Sequence, residues 1–282
     1  MPRELEPAIA QREFVLAALK QGLRTDGRAL LESRKPELVF GEELGMVECK
    51  LGKTRVFANV SATIVRPRQD RPYEGLLTIS SEISPMASSV YEAGRASDEE
   101  VAITRMLEKV IKRSGAVDLE SLCILAGQRV WHIRLTLHFL SDEGNMLDCA
   151  CLAGITALRH FRRPEVEVIG EEVIVHSPEE RAPMVLSMHH TPICITFALF
   201  EDSSSPVLDP LHLESQLATT TVHLALNAQK ELCVMHKAGG MPLSVEEIMK
   251  CVKIGVERVR EVSKMVNEAL EEDWKGRVVE IR

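Results

Sequence analysis

SDEGNMLDCACLAGITAL, residues 141–158, follows the alternating apolar run RVWHIRLTLHFL, turns on Gly144 and then reads as a helix that is apolar or small on nearly every side. Glycine-rich turns from strand to helix bind anions because the first N–H groups of a helix are unpaired and carry the positive end of its dipole. A catalytic phosphate site normally adds a cation. Here Asp142, Glu143 and Asp148 surround Gly144, and the nearest basic residue in the following helix is Arg159. The residues themselves favour a charged turn with a helix cap over a phosphate cradle. A helix that is apolar all round must be covered on several sides.

On the amino-terminal side, QREFVLAALKQG has helical spacing from Gln11, with Phe14, Leu16, Ala17 and Leu19 grouped and Gly22 as its stop. From Pro36 to Ile83 the chain is rich in β-branched residues and reads as a meander of strands; the loop Arg66–Gly75, with Arg66, Arg68 and Arg71, joins the last two. SDEEVAITRMLEKVIKRSG opens with Ser97 and Glu100 at capping-box spacing. Ile103, Leu107, Val110 and Ile111 fall on one face of that helix, and Arg105, Lys109, Lys112 and Arg113 form a row on the opposite face. On the carboxyl-terminal side, EEVIVHS, PICITFALF, SPVLDP, ATTTVHLALN and ELCVMHK read as strands, with turns at Pro178, Pro183, Pro206 and Gly239. Ser244 and Glu247 cap a last helix whose stripe Ile248, Val252, Val256, Val259, Val262 and Val266 runs to about Leu270. Strands and helices are mixed rather than strictly alternating, which predicts an α+β fold with α/β-like layers.

The 282 residues suffice for one large domain or two intimately packed ones. A net charge of −8 means that contact with nucleic acid needs a local basic patch or a basic partner. Cys49, Cys123, Cys149, Cys151, Cys194, Cys233 and Cys251 form no C-x-x-C pair and no zinc ligand set, so we expect buried free thiols and a reducing, intracellular compartment. No stretch reads as a signal peptide or a membrane span. His189 and His190 are adjacent before a strand and point to opposite faces, which argues against a shared metal. His132 and His138 lie six positions apart on one strand, about 20 Å, and packing is the simpler role for them. No metal or cofactor is expected, and neither a dinucleotide-binding nor a Walker signature is present.

Several words of the chain occur together in one known family. They are LRTDGR at Leu23, LGKTRVFANV at Leu51, EGLLTISSEISPMA at Glu74, EAGR at Glu92, VDLESLCILAGQRVWHIRLTLHFL at Val117, FRRPEV at Phe161, EERAPMVLSMHHTPICITFALF at Glu180's neighbour Glu179, and LDPLHLES at Leu208. In order and spacing the chain resembles the RNase PH family, and within it the ring subunits of eukaryotic exosomes, from about Gln11 to Leu270. The resemblance implies two pseudo-symmetric β-α halves, 34–167 and 191–255, with an N-terminal extension 1–33, a connecting segment 168–190 and a helix end and tail 256–282. Family members pair head to tail, and three pairs close a six-membered ring around a channel for single-stranded RNA, with RNA-binding cap subunits above it.

Active members cleave the RNA 3′ end by phosphate attack and carry Gly-Gly-Thr-Arg-Thr where this chain has Gly144, Asn145, Met146, Leu147 and Asp148. Leucine thus replaces the phosphate-gripping arginine, and aspartate replaces threonine, which removes attraction and adds repulsion. Aligning the family's later acidic cluster on Glu214 places Ser215, Thr219 and Thr221 at its carboxylates, while Asp209 and Glu214 remain as isolated acids. The resemblance therefore implies a catalytically silent ring subunit, a scaffold and channel wall for 3′-to-5′ processing and decay of ribosomal, messenger and noncoding RNA in nucleus, nucleolus and cytoplasm. The alternative is an active phosphate-dependent exoribonuclease, alone or through a site composed with its partner. Arg105, Lys109, Lys112 and Arg113, with Arg66, Arg68 and Arg71 as a second group, are the expected RNA phosphate contacts. The apolar helix and the open sheet edges also lead us to expect that the chain is not a stable monomer.

Overall fold

The computed structural model describes residues 7–170, 172–177, 180–201, 205–237 and 239–277. The turn expected at Pro178 and the ends of the chain, residues 1–6 and 278–282, lie outside them. Helix α1 (Ile9–Lys20) precedes strands β1 (Pro36–Phe40), β2 (Met46–Leu51), β3 (Thr54–Val65) and β4 (Leu76–Ile83). Helix α2 (Asp98–Leu107) runs into a π-helical turn, Glu108–Arg113, and strands β5 (Cys123–Leu125) and β6 (Arg129–Ser141) lead to helix α3 (Met146–His160). Short strands β7 (Arg162–Arg163), β8 (Val166–Ile169), β9 (Glu172–Val175) and β10 (Met184–Val185) follow. The second half holds β11 (Ile193–Leu199), β12 (Val207–Leu208), α4 (His212–Leu217), β13 (Thr220–Leu226), β14 (Leu232–Lys237) and α5 (Val245–Gly276). The expected boundaries at 167/168 and 255/256 fall inside β8 and α5 respectively.

The fold is α+β, with two main sheets. In the first, β1, β2 and β3 form the expected meander, but β4 is not β3's neighbour: the order is β1-β2-β3-β6-β4, with β5 also on β6. Strand β6 enters between β3 and β4, antiparallel to β3 and parallel to β4, with Ile79 opposite Leu135. A parallel pair needs a long crossover, and α2 with its π turn supplies it. The second sheet is antiparallel throughout, in the order β12-β11-β13-β14.

Helix α3 packs against β2, β3 and β6 on one side and β11 on the other, with α2 and α5 also against it. All its residues except Asp148 and Arg159 are buried. The protein's own two sheets therefore satisfy the all-round apolar pattern, so this helix does not by itself require a second chain. Apolar surface left open lies elsewhere, on Val168, Ile169, Ile174 and Val175 of the β8–β9 hairpin and on Met184 and Val185 of β10.

Local signals fix the helix starts. Ser97 Oγ accepts from Glu100 N at 3.1 Å, although Glu100 turns its carboxylate to Ile83 N instead of closing the box. At α5, Ser244 and Glu247 form the full reciprocal cap, and Val259, Val262 and Val266 of the expected stripe are buried. In α1 the buried residues are Val15 and Leu19, whereas Phe14 is exposed: the helix rests on Ala198, Phe200 and Val207 by a narrower stripe than its spacing suggests.

Candidate functional site

Strand β6 delivers the chain to Gly144, which sits at φ +90°, with a Cβ there only 2.3 Å from His212 N. Only glycine tolerates both the backbone angle and that approach. Asp142 Oδ1 accepts from Gly144 N at 2.8 Å, and Thr54 Oγ1 donates to Gly144 O at 2.8 Å. Asn145, the N-cap residue, is left-handed at φ +57° and its side chain makes no cap bond. Its Nδ2 donates instead to Asp148 Oδ2 at 2.9 Å and to Asp209 Oδ1 at 2.6 Å.

A cation does reach this turn, though not from its own sequence neighbourhood. Arg34 Nη2 donates to Gly144 O at 3.1 Å, but the same guanidinium is committed to Asp209, at 2.7 Å from Nη2 and 2.8 Å from Nε. Asp209 also accepts from Arg28 at 2.9 Å, and Arg24, whose side chain is fully buried, pairs with Glu214. Burial alone would raise the Asp209 pKa, yet Arg34 and Asn145 hold it below the ordinary carboxylate value. The two acids left isolated in the sequence are thus the anchors that tie LRTDGR, 23–28, and Arg34 to the second half.

Asp148 is turned inward and accepts from Thr196 N at 2.8 Å and Thr196 Oγ1 at 2.7 Å. Burial pushes its pKa up to about 6 despite bonds from Thr196 and Asn145. Thr196 Oγ1 lies 2.9 Å from His223 Nδ1, and His223 stacks on His236 across β13 and β14 with centroids 6.0 Å apart. Burial, with a smaller push from His236, brings His223 down to about 4, so both rings are neutral near pH 7; burial also lowers His236.

Above the turn lies a cavity of about 270 Å³ whose lining includes Leu147, Met146, Ser215, Thr221, His223 and His236. Leu147 from the first half therefore meets Ser215 and Thr221 from the second in one space, while Thr219 lies outside its lining. No arginine or lysine lines it; Glu99 does, with its carboxylate accepting from Tyr91 Oη at 2.9 Å. Among the described residues no cluster of three or more His, Cys, Asp or Glu is arranged to hold a metal ion. The histidines of this cavity, 223 and 236, carried no signal in the linear sequence, because only the β13–β14 register sets them opposite each other.

The basic residues do not form the single row expected. The π turn closes with i→i+5 bonds, Ser114 N to Lys109 O at 3.2 Å and Ala116 N to Ile111 O at 3.1 Å, and its wider winding rotates later side chains away from the α-helical register. Arg105 is exposed on α2, and the charge of Lys109 adds to burial in lowering the pKa of His236 of β14. Lys112 and Arg113 instead line a cavity of about 510 Å³ together with Arg68 and Arg71, and with Asp70, Glu74 and Glu108. Arg66 is exposed outside that lining. Of the other histidines weighed in the sequence, His132 bonds Thr78 Oγ1 at 2.9 Å, His138 meets Glu82 at 3.2 Å, His190 meets Ser114 Oγ at 3.2 Å, and His189 stands 4.0 Å from Asp118. All seven cysteines are free thiols.

The profile of domain 1 of the 3′ exoribonuclease family, RNase PH, matches residues 32–164, and that of its domain 2 matches residues 190–258. The chain belongs to this family. Its relatives include a Schizosaccharomyces pombe protein named exosome complex component rrp45, 44% identical over 97% of this chain and 94% of the relative. A Homo sapiens protein named exosome complex component RRP45 is 40% identical over 95% of this chain, which spans 61% of that longer relative. Among solved structures, an Archaeoglobus fulgidus exosome with RNA bound to the active site contains a chain that superposes with TM-score 0.79 at 26% identity, covering 91% of this chain and 97% of its own. Within the family's two-domain frame, the 270 Å³ cavity lies where the two matched segments meet.

Proposed function

We propose that this chain is a catalytically silent RNase PH-type subunit of an exosome core ring, serving as scaffold and as part of the wall of an RNA channel. The observation that carries the silence is the cavity at Gly144: Leu147, Ser215 and Thr221 converge there without an arginine or lysine, and its imidazoles are neutral. Phosphorolysis puts a doubly charged phosphate against an RNA phosphate and needs cationic donors at that point. Arg34, the cation nearest the turn, is held by Asp209.

Membership of a ring is supported by relatives named as exosome components over nearly the whole chain and by likeness to subunits of the archaeal exosome core. The exposed apolar hairpin and β10 offer surface for neighbouring RNase PH-type subunits. In this reading the pairing partner is the subunit most like the active enzymes, cap subunits bind above the ring, and the assembly works on ribosomal, messenger and noncoding RNA in nucleus, nucleolus and cytoplasm. Arg68, Arg71, Lys112 and Arg113 present the denser basic surface for a passing phosphate backbone, and Arg105, Lys109 and Arg66 extend it.

The test is to incubate the purified chain, alone and then assembled with RNase PH-type partners, with single-stranded RNA, phosphate and magnesium. The expected result is no nucleoside diphosphate from the chain alone and a six-membered ring by native mass measurement. Robust phosphorolysis that tracks the isolated chain would refute the silent reading, and failure to assemble would refute the ring.

A further inference from the structure

The far end of α3 carries a second, unrelated cluster. There a cavity of about 380 Å³ opens between the last turn of α3 and the last turns of α5, with Arg159, Arg162, Glu271, Trp274 and Lys275 in its lining. A helix of 15 residues separates it from the Gly144 turn by about 22 Å.

Its charges are not balanced internally. Arg159 donates from Nη1 to Asn267 Oδ1 at 2.6 Å, and Arg162 uses Nη1 for the carbonyls of Arg159, Phe161 and His160 at 2.7, 3.0 and 3.3 Å. The other N–H groups of both forks find no acceptor among the described residues, and neither arginine nor Lys275 has an ion-pair partner there. Burial lowers both guanidinium pKa values with nothing opposing it. The nearby carboxylate of Asp273 is already taken, by His160 Nε2 at 3.1 Å and Arg277 Nε at 2.7 Å. His160 adds no charge: its Nδ1 accepts from Gly45 N at 3.1 Å, so the proton sits on Nε2 and the ring is neutral, its pKa lowered first by burial.

Half-buried guanidiniums without a counter-ion are anion-seeking groups. Beside them the Arg162 guanidinium lies 5.0 Å over the Trp274 ring, and Trp274 is 44% exposed, a large aromatic surface next to free arginine donors. Tryptophan and arginine together dominate the energetics of protein interfaces.

We propose that this cavity docks an acidic segment of a partner protein, one carboxylate held by Arg159 and Arg162 and a neighbouring apolar side chain laid against Trp274. A planar carboxylate matches the arginine forks. The indole and Leu270 supply apolar surface that a phosphate chain does not use.

The full chain is titrated with a fluorescein-labelled synthetic peptide alternating Asp with Leu, followed by polarisation and by intrinsic tryptophan emission. Trp131 is 4% exposed in the core, so any change in emission reports Trp274. Saturable binding is expected, with the emission change lost in Trp274→Phe and affinity lowered at least about tenfold in the double variant Arg159→Gln, Lys275→Gln. Arg162 is left in place because it caps α3, and an unchanged unfolding midpoint confirms that the double variant is folded. Absence of saturable binding, or equal affinity in the folded double variant, overturns the proposal. So does displacement of the peptide by tripolyphosphate or oligouridylate at lower concentration than a competing unlabelled peptide, which assigns the cavity to phosphate.

Discussion

The two ends of α3 both carry the charges that a helix dipole favours, but only one end is satisfied from within the chain. Its amino-terminal end, where anions are ordinarily welcome, is occupied by the protein's own carboxylates, Asp148 and Asp209, each bonded from several sides. Its carboxyl-terminal end carries Arg159 and Arg162, which suit the dipole but have N–H donors left over. One end is a closed network that holds two halves of the chain together; the other is an open one that awaits a ligand. The space at the Gly144 turn is filled by the chain's own partners, Arg34, Asn145 and Asp209.

The contrast breaks most readily through stability. Asp209→Ala strips the buried partner from Arg28, Arg34 and Asn145 and is expected to destabilise by about 3–5 kcal/mol in urea unfolding. The matched removal at the open end, Lys275→Ala, is expected to change stability by less than about 0.5 kcal/mol. Equal effects at both ends would erase the distinction.

Acidity sharpens it next. His223 titrates at about 4 in the fold against an ordinary 6.5, so its contribution is complete above 6.5 and is lost as pH falls through about 4, on the order of 3 kcal/mol. Asp148 runs the other way: at about 6 against 3.8, its contribution is complete below 3.8 and is lost as pH rises through about 6. In the wild type the two oppose each other over the shared window. Unfolding of Asp148→Asn should therefore show a steeper loss on acidification than wild type, and His223→Gln a loss as pH rises instead. Parallel profiles in all three proteins would mean that neither group is enclosed as described.

Gly144→Ala probes the turn itself. Its φ of +90° and the 2.3 Å approach to His212 N predict a loss of about 2 kcal/mol, read from the same unfolding curves. The smallest expected effect concerns RNA. Reversing Lys112 and Arg113 to glutamate in the assembled ring should lower the slope of log affinity against log salt by about 0.7 for each lost phosphate contact, with assembly intact. Lys109→Glu, on the other side of the π turn, should act independently of that pair. An unchanged slope in the folded double variant would leave these residues as a solvated surface.

Local sequence told most where the interaction is local. The full cap at Ser244, the serine half of the cap at Ser97, the strand run 129–140 and the apolar face Ile103, Leu107, Val110 and Ile111 all follow from spacing alone. Spacing misled at the basic row, because a π turn changes the winding within one helix, and at β4, because strand order depends on which crossover packs best. The resemblance drew attention to Leu147, Ser215 and Thr221, but that they share one cavity was not legible in the sequence.

Residue identity and short-range order were enough to read the family, the α+β class and the absence of any basic residue between 141 and 158. Long-range packing brings the chain's own sheets over α3, carries Arg34 to Gly144 from 110 residues away, and sets Arg159 and Trp274 around one cavity. Such pairings depend on how sheets and helices pack across long stretches of chain, and no periodicity within a single element encodes them.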